Sequence, residues 1–342
     1  MTRVLAIHDR KSSFSDRWVT YCETHGIPYA AVDCLDSGIL SRLAGARALL
    51  WHWHQEDPSS VLIARQVIMA VERMGLAVFP NTPTCWHFDD KVGQKYLLES
   101  VGAPLIPTHV FYNLASAESW IDRAIFPKVF KLRKGAGSSN VRLVPSAQAA
   151  RALAREAFGR GFRPIAAYTN DLARRFASAR KREGLFDALR RLPKTMARIQ
   201  KLNFEMGRER GYLYFQDYLD GNSFDTRVTI IGDRAFAFTR DVRPGDFRAS
   251  GSGRIVYDLQ RIHPECVTIA FEVARRIGSQ SMAFDFVMDG KGAPRIAEIS
   301  YCYDARAVHG CAGHWDSRLT WHEGHVWPED AILIDLLKGL DR

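Results

Sequence analysis

The segment AFDFVMDGKGAPRIAEIS, residues 283–300, sets acidic groups where a chain ordinarily keeps them apart. Alternating runs at 284–289 and 294–300 flank Gly290-Lys291-Gly292-Ala293, the pattern of a tight hairpin. If Asp289 faces Pro294, Asp285 stands opposite Glu298, and Asp285, Val287, Glu298 and Ser300 share one face. Like charges directly opposite each other are destabilising. A divalent cation between them reverses that sign, and hard Mg²⁺ takes a few carboxylates while leaving its other positions to water and phosphate. The plainer alternative is a pair of solvent-facing acids on an edge hairpin. Against it, Ile296, Ala297 and Ile299 give Glu298 apolar neighbours.

Two further groups point to phosphate. Lys131 precedes Gly135-Ala136-Gly137-Ser138-Ser139, a lysine at a strand end followed by a loop able to offer backbone N–H groups. The spacing is not that of a P-loop, and a Gly-rich turn is by itself more often a plain hairpin. Residues 215–253 deliver Asp225, Arg227, Arg240, Arg243 and Arg248 in short order. Arginines among carboxylates form structural ion-pair networks, and arginine is also the bidentate partner of phosphate and carboxylate.

The elements that must carry these groups are legible in outline. Strands at 3–7, 29–32, 48–51 and 77–79 alternate with helices at 14–24 and 61–74, which argues a small parallel-sheet α/β domain. No glycine fingerprint follows the first strand, so a dinucleotide fold has no support. Beyond residue 85 the texture changes. A helix is expected over 91–101, strand–loop–strand over 126–144, a helix over 146–158, and strands at 212–218, 224–231 and 235–239. A helix near 266–277 leads into the acidic hairpin. The domains expected are 1–85, a lid at 86–217 with a basic helical insert at about 160–210, and a core at 218–342.

Bulk composition narrows the class. The chain has 342 residues, 46% hydrophobic and 25% charged, as an ordinary soluble globular protein does. No apolar run is long enough to span a membrane, and the N-terminus lacks a signal-peptide apolar region. Six scattered cysteines show no disulfide framework, so a cytoplasmic location is expected. Residues 160–210 hold fourteen Lys/Arg against five Asp/Glu, which accounts for the whole net charge of +9. A globally basic nucleic-acid binder is therefore a poor description.

The order of the groups along the chain is more specific than any one of them. Lys91 on a helix, Lys131 before a Gly-rich loop, Gln216-Asp217-Tyr218-Leu219, Asp225-x-Arg227, Asp246-Phe247-Arg248, then Asp285 and Glu298 resemble the ATP-grasp superfamily. The resemblance is to the branch of ribosomal-protein glutamate ligases and glutathione-synthetase-like enzymes, and covers residues 1 to about 300. It implies mixed α/β and α+β architecture with an N-terminal parallel-sheet domain, a small lid and a C-terminal antiparallel-sheet domain. It also implies ATP and Mg²⁺ as cofactors, with two ions that Mn²⁺ can replace. Lys91 and Lys131 look like the lysines on the ATP phosphates, and Gly135, Gly137 and Ser138 like part of the loop closing over them. Gln216, Asp217 and Leu219 occupy the hinge beside adenine, with Asp225 near the ribose. Asp285 and Glu298 match the metal ligands, with Ser300 as a third. Arg240 and Arg248, with Lys131, match catalytic positions at the transferred phosphate and acyl group. The implied reaction forms an acyl phosphate from a carboxylate substrate, and an amine substrate displaces the phosphate.

Three features depart from the pattern. Position 300 is serine where the family's motif normally ends in asparagine, a shorter oxygen ligand. The basic segment 160–210 reads either as a solvated helical hairpin or as a surface for an anionic polymer or carrier-linked substrate. The tail, residues 309–330, carries Cys311, His314, His322 and His325, which invite a zinc reading, and three tryptophans suited to a packed lid. This tail is similar to that of ATP-grasp ligases of bacterial surface-polysaccharide synthesis, which implies a uronic-acid carboxylate and an amino-acid or amino-sugar amine. An amino-acid or peptide-tail ligase, an ATP-binding scaffold without turnover, and a homodimer are the other expectations. Trp51-His52-Trp53-His54, at the end of a strand where α/β sheets meet ligands, reads as substrate-binding or as buried aromatics.

Overall fold

The computed structural model describes residues 4–55, 57–135, 140–163 and 207–341. Gly137 and Ser138 lie outside these residues, as do positions 164–206 of the basic segment. The chain divides into two compact units, one of residues 1–88, 96–105 and 221–342, the other of residues 89–95 and 106–220.

In the first unit, β1 (Leu5–His8), β2 (Tyr29–Val32), β3 (Ala48–Leu50) and β4 (Ala77–Phe79) form a parallel sheet in the order β2-β1-β3-β4. The two inner strands, β1 and β3, are buried along their length and near-continuously apolar because helices cover a parallel sheet on its faces. Helix Phe14–His25 ends on Gly26, whose φ of 63° supplies the left-handed cap that a side chain would resist. Helix Pro58–Arg73 starts with Pro at its first position, and the Asp57 carboxylate accepts from the Ser60 N–H.

The same unit contains a larger sheet. β9 (Phe224–Ile231), β10 (Arg234–Asp241), β12 (Ser281–Met288), β13 (Pro294–Ser300), β14 (Gly313–Asp316) and β15 (Trp321–Glu323) run in the order β13-β12-β9-β10-β14-β15, with β11 (Ile255–Val256) on β10. Val228, Ile230, Met282, Phe284 and Phe286 fill one core with helix Pro264–Ile277. That helix buries Cys266, Val267, Ala270, Val273, Ala274 and Ile277, a stripe at helical spacing. On the opposite face Ile231, Phe236, Phe238 and Ala283 join Leu5, Ile7, Trp18 and helix Pro328–Leu340 in a second core.

In the second unit β5 (Thr108–Phe111), β6 (Lys128–Lys131), β7 (Val141–Val144) and β8 (Leu213–Asp217) make an antiparallel sheet in the order β5-β8-β6-β7. Helices Leu114–Ile121 and Ala147–Phe158 bury Ala117, Ile121, Ala150, Ala154 and Ala157 against Phe130, Leu213 and Phe215.

The hairpin differs from its simplest reading by one residue. Met288, not Asp289, pairs with Pro294, and a bulge between Asp285 and Phe286 then restores the Asp285–Glu298 pair. Counting shows why: Phe286 opposes Ile296 and Asp285 opposes Glu298, so Ala297 is the extra residue on β13. Asp289 is released into the loop, where its carboxylate accepts from the Lys291 and Ala293 N–H groups and from Arg295. Among the described residues no helix is long and apolar enough to cross a membrane.

Candidate active site

Alternation along β9 sets Asp225 and Arg227 on one face, and the neighbouring strands supply their complements. Arg240 on β10 lies opposite Asp225, Asp285 on β12 lies opposite Arg227, and Glu298 on β13 lies opposite Asp285. The register alone therefore gathers three acids and two arginines on four neighbouring strands, with Glu298 and Asp285 as adjacent like charges.

The side chains use it fully. Arg227 Nε and Nη2 donate to the two Asp285 oxygens at 2.7 and 2.8 Å. Arg240 Nε and Nη2 donate to the Asp225 oxygens at 2.7 and 2.5 Å, and Nη2 also lies 2.9 Å from Asp285 Oδ2. Asp225, Arg240 and Asp285 are each buried, with about 7% or less of their surface exposed. Burial by itself would push the Asp285 carboxyl up, but the two guanidinium groups outweigh it and hold Asp285 ionised, below the usual carboxylate range. Among the described residues Asp225 bonds to Arg240, and there burial, with the neighbouring Asp285 charge, raises its carboxyl. Arg240, expected at the transferred phosphate, thus sits as a bridge between two carboxylates. Asp225, expected at the ribose, is its partner.

Glu298 and Ser300 are half-buried at the edge of this row. Ser300 Oγ donates to the Cys302 carbonyl at 2.9 Å and accepts from the Cys302 N–H at 3.2 Å, so the hydroxyl closes the turn after β13. Arg248 is held by Asp246, which accepts from its backbone N–H, Nε and Nη2. Those bonds draw the Asp246 carboxyl below its ordinary range.

The oxygen donors fit a hard divalent cation. Three arginine N–H bonds take three of the roughly four lone-pair positions of the Asp285 carboxylate. Among the described residues no group of three His, Cys, Asp or Glu side chains is arranged to hold a metal. The tail residues separate accordingly. Cys311 Sγ is buried and donates to the Ala237 carbonyl, His314 and His322 stack as cross-strand neighbours, and His325 Nδ1 lies 2.8 Å from the His309 carbonyl oxygen.

The second unit gathers the lysines. Lys131, the last residue of β6, is buried and its Nζ donates to Gln216 Oε1 at 2.6 Å. Gln216 Nε2 in turn donates to Thr108 Oγ1, which fixes the amide's orientation. Lys91, buried at the start of helix Lys91–Ser100, donates from Nζ to the Gly135 carbonyl at 2.6 Å. The Gly135 N–H is taken by Asp89 Oδ1 at 2.7 Å, with Asp89 itself in the left-handed region at φ 52°. Asp217 is tied to Lys128 at 2.6 Å, and Leu219 follows β8 half-buried. Nothing in the sequence marks Thr108, and Asp89-Asp90 reads there only as a cap for the helix that follows.

Comparison with known proteins gives the fold its name. No protein-family model matches the sequence, and no curated protein matches it. Among solved structures the chain is similar to a RimK-domain ATP-grasp protein of Sphaerobacter thermophilus, at 14% identity over 99% of this chain and 100% of that one, with a TM-score of 0.58. It is similar to D-cycloserine synthetase DcsG at 15% identity, covering 97% and 99% with a TM-score of 0.57. It is also similar to the ATP-grasp ligase PsnB, solved with a precursor peptide and AMPPNP, at 13% identity, 100% and 99% coverage and a TM-score of 0.54. The architecture is that of the ATP-grasp fold.

Proposed function

We propose that this ATP-grasp chain is an ATP- and Mg²⁺-dependent ligase joining a carboxylate to an amine through an acyl phosphate. The observation that carries the reading is the Asp285–Glu298 pair on adjacent strands, opposed in register and backed by Arg227 and Arg240. Phosphoryl transfer is mainly positioning and charge neutralisation, and the chain supplies both. Lys91 and Lys131 are buried cations held by a backbone carbonyl and by Gln216. Arg248 is oriented by Asp246 rather than left to wander. Asp285 and Glu298 would hold the metal, which when bound neutralises phosphate charge. The neighbours named above include a ligase solved with a peptide and a nucleotide analogue, in keeping with the reaction class.

The carboxylate is a uronic acid of a surface polysaccharide in this reading, and the amine an amino acid or amino sugar. The basic segment 160–210 would then meet an anionic polymer, and the chain would act in the cytoplasm. An amino-acid or peptide-tail ligase uses the same centre. A second reading, an ATP-binding scaffold without turnover, is favoured by one observation: Ser300 spends its hydroxyl on the Cys302 backbone. ADP release separates the two. The ligase releases ADP only when a carboxylate and an amine are both supplied. Nucleotide binding with no release across a panel of uronic acids, amino acids and peptides leaves the scaffold.

A further inference from the structure

The antiparallel sheet of the second unit has two unlike faces, and the dipeptide Gln216-Asp217 sends one side chain to each. Pairing sets Thr108, Gln216 and Val129 side by side across β5, β8 and β6. Lys131 stands two residues on from Val129 and so shares their face. The alternate residues Phe130, Leu213 and Phe215 turn to the other face, where helices Leu114–Ile121 and Ala147–Phe158 cover them. Asp217 belongs to that covered face. Its Oδ1 accepts from Lys128 Nζ at 2.6 Å, and Lys128 Nζ lies 5.9 Å from the centre of the Trp120 ring. The Asp217 carboxylate, expected beside adenine, is thus committed on the face away from Lys131.

On the Lys131 face a chain of hydrogen bonds runs with a single polarity. The Thr108 hydroxyl gives its one hydrogen to the Ile106 carbonyl at 2.7 Å. Its oxygen is then left to accept, and the Gln216 Nε2 donor meets it at 3.1 Å. That choice fixes Oε1 at the other end of the amide, 2.6 Å from Lys131 Nζ, where an ammonium requires an acceptor. Reversed, the amide would turn its N–H groups toward the ammonium and its carbonyl toward an oxygen with no hydrogen to give. Thr108, Gln216 and Lys131 are 8%, 2% and 7% exposed, so solvent has little access to replace a lost bond.

We infer that Thr108 and Gln216 are positioning residues for Lys131: the hydroxyl orients the amide, and the amide oxygen holds the ammonium. The polar ends of Gln216 then serve the lysine and not the base. Lysine is a point charge on a flexible stem, so its placement has to come from its surroundings. One of its three ammonium hydrogens is aimed at Gln216, which sets where the charge is presented. The inference rests on the proposed reading of Lys131 as a phosphate lysine.

The test is calorimetric and uses the full chain with no carboxylate or amine substrate. AMPPNP with Mg²⁺, and separately adenosine, are titrated into the parent chain and into Thr108→Val, Thr108→Ser and Gln216→Met. AMPPNP carries the phosphates that Lys131 would meet, and adenosine has none. The ratio of the two affinities therefore isolates the lysine from a general loosening of the sheet. Thr108→Val keeps the shape and removes the hydroxyl; it should weaken AMPPNP about five- to tenfold and leave adenosine within about twofold. Gln216→Met should show the same split, at least as large, and carries the test if thermal unfolding shows that the valine variant fails to fold. Thr108→Ser keeps the hydroxyl and should bind both ligands as the parent does. Equal loss of both ligands, an unchanged ratio in Thr108→Val and Gln216→Met, or a serine variant as weak as the valine one each overturns the assignment. A parent chain that binds AMPPNP no more tightly than adenosine removes the phosphate reading of Lys131 and this inference with it. Because nothing turns over in the measurement, failure of the ligase reading in favour of a nucleotide-binding scaffold leaves the result standing.

Discussion

Two charged regions of the first unit solve opposite problems. On the large sheet, buried Asp225, Arg240 and Asp285 and half-buried Arg227 have their charges matched two against two. At the edge of the parallel sheet, Arg10 is half-buried and its guanidinium has no hydrogen bond or ion pair among the described residues, while burial lowers the pKa of His8, His52 and His54. A matched buried network satisfies itself and fixes geometry. In the proposed function the first region positions Asp285 and Glu298 for chemistry.

Removing one charge from each region separates the two most sharply. Asp285→Ala strands Arg227 and Arg240 in a buried site and should cost about 3–5 kcal/mol in urea denaturation. It should therefore lose turnover and stability together. Arg10→Ala removes an unpaired, half-exposed charge and should change stability by less than about 0.5 kcal/mol. Equal losses in the two variants would erase the distinction.

A buried acid with one unpaired carboxylate oxygen gives the next largest effect. Glu329 is 6% exposed, its Oε2 is buried without a hydrogen bond, and burial raises its carboxyl from 4.5 to about 7. The folded chain then holds a proton that the unfolded chain has released between those two pH values. Stability from this group is full below pH 4.5 and falls as pH rises through about 7, by about 3 kcal/mol at most. Glu329→Gln should be more stable than the parent at pH 8 and equal to it at pH 4.5, by thermal unfolding at both.

Smaller changes sharpen the picture. Ser13→Ala removes the hydroxyl beside His52 Nδ1, and should cost about 1 kcal/mol and broaden the His52 ring resonances. Ser300→Asn should alter stability by less than about 0.5 kcal/mol, since asparagine can make the same turn to the Cys302 N–H. If the residue is a shortened ligand, the variant should bind Mn²⁺ more tightly by electron paramagnetic resonance. Unchanged affinity makes Ser300 a turn residue alone.

The strongest periodic signals were readable in advance. Strand β9 came out at 224–231, β2 at 29–32 and β4 at 77–79 as the alternation and breaks implied. The Asp285–Glu298 pair was legible too, although through a register that ignored the bulge at Ala297. A bulge leaves no mark in apolar/polar alternation when Ile296 and Ile299 keep their faces on both sides of it. β5, β14, β15 and helix Pro328–Leu340 were missed. The first three are strands of four, four and three residues, too short for alternation alone, whereas the equally short β2 and β4 are marked by the breaks at Gly26-Ile27-Pro28 and Pro80-Asn81. Partnership was the deeper gap. Asp225-x-Arg227 announced a shared face, but that Arg240 bridges Asp225 and Asp285 depends on strand order, which local spacing does not encode.

The central claim, that the acidic hairpin is the centre of an acyl-phosphate-forming ligase, is tested most directly by hydroxylamine trapping. ATP, Mg²⁺ and a uronic-acid and amino-acid library are incubated with the parent chain and with Glu298→Gln, which leaves the half-buried position folded. The account predicts a hydroxamate with the parent chain and at least about a hundredfold less with the variant. A hydroxamate formed equally by both, or by neither while ATP binds, would contradict it.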